Sequence, residues 1–154
     1  MFKNKHGFTL VELVVVIAIV GILAGIAIPM YTDATATARG ARIVADMATI
    51  QSAYTMYLVK NGGEQKDIIS GSSEKYDNLI PTLVEKGYLE AIPVPPPGKA
   101  IFVNAEDNYR EVPILSGASY TFINHADVSA IDVLVALNPG CGEPQSINHF
   151  TNKY

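Results

Sequence analysis

The chain has 154 residues, 49% of them apolar and 17% charged, with one Cys, three His and no Trp. That length is the content of one ordinary globular domain. Eleven Lys+Arg against 15 Asp+Glu give a formal charge of −4, which leaves no basic footprint for DNA or RNA; one Cys and three scattered His make neither an internal disulfide nor a zinc framework.

The charges are unevenly placed. Between Glu12 and Asp33 lies an uncharged run of 20 residues, Leu13 to Thr32. A helix of about 20 such residues matches the roughly 30 Å hydrocarbon core of a bilayer. Lys3, Lys5 and His6 precede the run and Asp33 follows it, so the positive-inside rule puts Met1 in the cytoplasm and everything after residue 33 outside. A cleaved secretory signal peptide is the alternative, with small-x-small sites at Ala34-Thr35-Ala36 and Ala36-Thr37-Ala38. Against it, the run is longer than the usual apolar core of about 7 to 15 residues, and a carboxylate, Glu12, stands at its start.

Gly7-Phe8-Thr9-Leu10-Val11-Glu12, the apolar run, and then Ile28-Pro29-Met30-Tyr31 together resemble the class III signal of type IV prepilins and of the pseudopilins of type II secretion. The match is close from Lys5 to Tyr31. The resemblance implies that residues 1–7 are a leader, that a prepilin peptidase cuts between Gly7 and Phe8, and that the new amino group of Phe8 is methylated. Losing Lys3 and Lys5 takes the formal charge from −4 to −6. The resemblance further implies residence in the bacterial inner membrane with the C-terminal domain outside, and then polymerisation with other copies on an assembly platform, the N-terminal helices forming the interface.

A carboxylate in hydrocarbon costs several kcal/mol unless it is paired. Within the resemblance, Glu12 would pair with the Phe8 ammonium of its own chain or of a neighbour one axial step away, which would set subunit register. The alternative is a hydrated Glu12 at the interfacial end of the helix, favoured by the positive N-terminal dipole. Gly21 and Gly25 are spaced for close helix approach and each lowers helix propensity by about 1 kcal/mol. Pro29 lacks an N–H for the Gly25 carbonyl and its ring crowds that group, so a kink or weak segment is expected from Gly21 to Pro29. Phe8, Glu12, Gly21, Gly25 and Pro29 are the expected assembly residues.

Beyond Pro29 the helix continues. Residues 8–32 are its apolar half and 33–61 its amphipathic half, where Ile43, Met47, Ile50, Tyr54 and Tyr57 form one stripe. Arg42 and Asp46 stand i,i+4 on another face, and Asn61-Gly62-Gly63 supplies the stop. Residues 62–99 read as a polar loop from Gly62 to Ser73, a short helix from Pro81 to Lys86 ended by Gly87, and an extended connector, Pro93-Val-Pro-Pro-Pro-Gly98. Leu83 to Pro93 resembles a pseudopilin head connector. Residues 100–137 carry strand-like segments at Ala100 to Val103, Val112 to Leu115, Ala118 to Ile123 and Ile131 to Leu137, with Pro113 forcing an edge. One antiparallel sheet of three or four strands covering the helix stripe is the expected packing, an α+β pilin fold. Residues 138–154 form an aperiodic tail in which Cys141 has no second Cys, although many pilins close this region with a pair.

No catalytic motif is found. His125 and Asp127 lack a nucleophile, and Asn124, Asp127, Asp132 and Asn138 lack the regular spacing of a calcium loop. Some pseudopilins of this plan hold calcium near the same end of the chain, which keeps those oxygens as an alternative. No cofactor is expected, and Phe8, Tyr31, Tyr54 and Tyr57 along the spine read as packing groups rather than a conduction path. The function that follows is a non-enzymatic pilus subunit for adhesion, motility or DNA uptake. A secretion pseudopilin and an exported binding domain with an N-terminal anchor are the alternatives.

Overall fold

The computed structural model describes residues 7–63, 79–103, 109–124, 133–140 and 145–146. In chain order its elements are α1 (Leu10–Lys60), α2 (Leu79–Glu85), β1 (Gly98–Val103), β2 (Tyr109–Ile114), β3 (Ser119–Asn124), β4 (Val133–Asn138) and β5 (Gln145–Ser146). Two compact units divide the chain, Met1–Thr35 and Ala36–Tyr154. Met1 to His6, most of the 62–73 loop, His125, Asp127, Ile131, Asp132, Cys141 and the last eight residues lie outside the described residues.

Helix α1 begins and ends on recognisable chemistry. Thr9 caps it, as described below, and its last carbonyls are taken up by Asn61 and Gly63: Asn61 N and Nδ2 donate to the Tyr57 carbonyl at 3.0 and 2.8 Å, and Gly63 N donates to the Leu58 carbonyl at 2.8 Å. A kink or weak segment is expected from Gly21 to Pro29, and the helix assignment is unbroken there. α1 is helical through that residue, and the Thr32 hydroxyl donates to the Pro29 carbonyl at 2.7 Å. On the second half of α1, the hydroxyls of Thr49, Ser52 and Thr55 donate back to the carbonyls of Ala45, Ala48 and Gln51 at 2.8 to 2.9 Å.

In the second unit the stripe Ile43, Met47, Ile50, Tyr54 and Tyr57 is buried, and Ala36 and Gly40 extend it at the same 3-and-4 spacing. Against it pack Leu79, Ile80 and Leu83 of α2 together with Ala100, Phe102, Val112, Ile114, Tyr120, Phe122 and Leu137 of the strands. Tyr54 meets Phe122 at 5.3 Å between ring centres, and Tyr57 meets the edge of Tyr88 at 5.7 Å, separations at which aromatic pairs attract beyond their buried area.

The strands form two small antiparallel sheets instead of the single sheet of three or four that the sequence leads one to expect. β1 pairs β2 with Gly98 opposite Ile114 and Val103 opposite Tyr109. β4 pairs β3 on one side, with Ser119 opposite Asn138, and the two-residue β5 on the other. The cause is proline. Pro113 in β2 and Pro139 just after β4 have no N–H, so the backbone link described between the two sheets is Leu115 N to the Pro139 carbonyl, 3.0 Å, and no ladder forms there. β5 itself falls in the tail read as aperiodic.

Candidate functional site

The N-terminal unit is built around the start of α1. Gly7 to Thr9 precede the helix, and Phe8 is 79% exposed. Thr9 and Glu12 close a reciprocal capping box: Glu12 N donates to Thr9 Oγ1 at 3.3 Å, while Thr9 N and Thr9 Oγ1 donate to Glu12 Oε2 at 2.9 and 2.7 Å. Two of the amide donors that a helix N-terminus leaves unsatisfied are thereby used. Of the expected site residues the structure thus brings Glu12 to Thr9. Thr9 was not singled out from sequence, although Thr-x-x-Glu just before an apolar run is its signal. In this chain the nitrogen of Phe8 is still a peptide nitrogen joined to Gly7, so no ammonium is present to compete for the carboxylate.

Past the cap, the large side chains of Leu10, Leu13, Ile17, Ile22, Leu23, Ile26 and Ile28 are all exposed. By length and composition α1 is able to cross a membrane. Gly21 and Gly25 stand one turn apart on this helix, and a Cβ at either would meet nothing within 4 Å. Both are open to a close approach from another helix.

In the second unit a polar pair stands beside the core. Tyr120 Oη donates to Asp46 Oδ2 at 2.9 Å, whereas Arg42 Nε is 3.9 Å from the same oxygen, so the partner closest to Asp46 lies on β3 and not at i−4 of its own helix. Burial, and then the hydrogen bond to Asp46, hold the Tyr120 phenol well above its ordinary range. Asn138 Oδ1 accepts from Gly140 N at 3.1 Å, a local turn bond. Among the described residues no three His, Cys, Asp or Glu side chains group together as metal ligands would.

Residues 2–28 match the prokaryotic N-terminal methylation motif. A fimbrial protein of Pseudomonas aeruginosa is 41% identical over 73 residues, which is 47% of this chain and 45% of that one. The type IV major pilin protein PilE of Neisseria gonorrhoeae is 41% identical over 92 residues, 56% of this chain and 55% of its own. The type IV narrow pilus major component PilA5 of Thermus thermophilus is 46% identical over 60 residues, 39% and 52% respectively. These relatives are type IV pilin and fimbrial proteins, and the likeness to them covers about half of this chain or less. The chain spans about half the length of the curated relatives it matches. No solved structure matches it significantly. The described α+β architecture is a long N-terminal helix with small antiparallel sheets.

Proposed function

We propose that this chain is a structural subunit of a type IV pilus. In this reading the leader is cut between Gly7 and Phe8, Phe8 is N-methylated, and the subunit waits in the inner membrane until an assembly platform moves it into the polymer. The carrying observation is an apolar helix whose large side chains are exposed and which follows directly on the Gly7-Phe8 junction. Lipid covers such a helix first, and the helices of other copies cover it afterwards, with Gly21 and Gly25 permitting close approach and Pro29 leaving the Gly25 carbonyl short of its helical donor. Cleavage turns the Phe8 nitrogen into an ammonium four residues from Glu12. The capping box survives the cut, because Thr9 keeps its own N–H, so Glu12 holds one oxygen on Thr9 and has the other for a cation. A neighbour's Phe8 is a cation of the right kind.

Mass spectrometry of the mature protein tests the processing. A first residue of Phe8 carrying one extra methyl is expected, and a start near Thr37 or Arg39 overturns the reading in favour of a cleaved signal peptide. Electron microscopy of the sheared fraction tests the polymer: long surface fibres containing this chain are expected, and their absence together with loss of protein secretion on deletion assigns the chain to a secretion pseudopilus.

A further inference from the structure

Tension on the apolar half of such a subunit reaches the unit that begins at Ala36 by one covalent route, the backbone of α1. Two ties between α1 and β1 stand in the opening turns of that unit, ahead of the Ile43 to Tyr57 stripe. At Gly40 the contact is backbone to backbone: an added Cβ would collide with the carbonyl oxygen of Ile101 and stand 2.8 Å from its carbonyl carbon. One residue earlier, Arg39 Nη1 donates to the Lys99 carbonyl at 3.2 Å. Its guanidinium carbon lies 3.4 Å from the place a Cβ would take on Gly98, whose φ of +111° already demands glycine. On the outer side Lys99 Nζ reaches Glu111 Oε1 at 2.7 Å and straps β1 to β2.

Contacts of this kind are stiff. The Gly40 crossing has no side chain between the two backbones that could change rotamer, and a guanidinium bonded to a carbonyl is stronger than a neutral pair. The apolar stripe further along is non-directional and slides at lower cost per residue.

We propose that the crossing of α1 over β1 at Arg39 and Gly40 is the mechanical anchor of the head. Tension carried by the helix is resisted there first and passes through Lys99 and Ile101 into β1 and β2 before it loads the stripe from Ile43 to Tyr57. The physiological load rests on the polymer reading above; the anchor itself belongs to the single molecule and is measured on it.

The full chain, with Cys141→Ser and Arg110→Cys, is held in a detergent micelle between one handle at its N-terminus and another at position 110, so that the load path runs from α1 across the crossing into β2. At constant force, Arg39→Met is expected to open about tenfold faster than the parent, the change that follows from losing one hydrogen bond to a charged group, and Gly40→Val, whose side chain collides with the Ile101 carbonyl, is expected to open at least as fast as Arg39→Met. Tyr120→Phe is expected to lower the thermal midpoint while the opening rate stays within about twofold of the parent, because its bond to Asp46 lies behind the anchor. Arg39→Met opening at the parental rate overturns the proposal, as does Tyr120→Phe speeding opening as much as Arg39→Met. If Gly40→Val does not fold, Arg39→Met decides alone. A mature N-terminus other than Phe8 overturns the polymer reading and leaves this measurement standing.

Discussion

Tyr120 carries more of the head's specificity than its single hydroxyl implies. Its ring is in the core and its Oη is held by Asp46 from α1, so one side chain joins helix to strand by both packing and polarity. Tyr120→Phe keeps the packing and removes the donor, leaving Asp46, a quarter exposed, to find water instead. A loss of about 1–2 kcal/mol in unfolding free energy is expected, read by chemical denaturation. The phenol also sets a pH limit. Because burial and the Asp46 bond raise its proton affinity in the folded state, its contribution is complete below the ordinary value of 10.0; above that pH the unfolded chain releases a proton that the folded chain keeps, and stability declines as pH rises. Thermal midpoints recorded from pH 8 to 11 should fall in the parent and fall less in Tyr120→Phe.

At the scale of the elements, α1 has two halves that respond differently to the same substitution. Ile50→Ala removes a fully buried side chain facing α2 and the sheets, and an unfolding free energy lower by about 2–4 kcal/mol is expected. Ile17→Ala removes a side chain that is 61% exposed, and denaturation of the head should not register it. The paired titrations check both. Much of this was legible in the sequence, because a 51-residue helix with a repeating apolar stripe states its period many times over. Strands β1 to β4 were legible as segments, within three residues at each end, and β5 was not. Their division into two sheets was not, since it depends on Leu115 meeting Pro139, residues far apart in the chain. Gly40 was equally silent: in a helix it reads as a weak spot, and only the passing strand supplies its reason. The Thr9–Glu12 box was written in four consecutive residues and overshadowed by the carboxylate's proposed role in assembly.

For the whole molecule, charge and apolar surface oppose one another. Without residues 1–7 the formal charge is −6, so in the proposed polymer like-charged subunits have to approach for their exposed helices to meet. Screening contracts from about 30 Å at 0.01 M salt to about 8 Å at 0.15 M. The polymerised fraction of purified mature subunits should therefore rise across that range in a sedimentation assay, and a fraction that falls would mean that attraction between charges, not burial of the helix, drives association.

The back-bonded hydroxyls of Thr49, Ser52 and Thr55 bear on how water meets this surface. A hydroxyl owns one proton, and each of these has given it to the turn behind. What the helix shows outward from Thr49 to Thr55 is then methyl and methylene groups beside hydroxyl oxygens that accept from water and donate nothing to it. Read letter by letter the segment offers donors and acceptors; to a water molecule these three hydroxyls are acceptors alone.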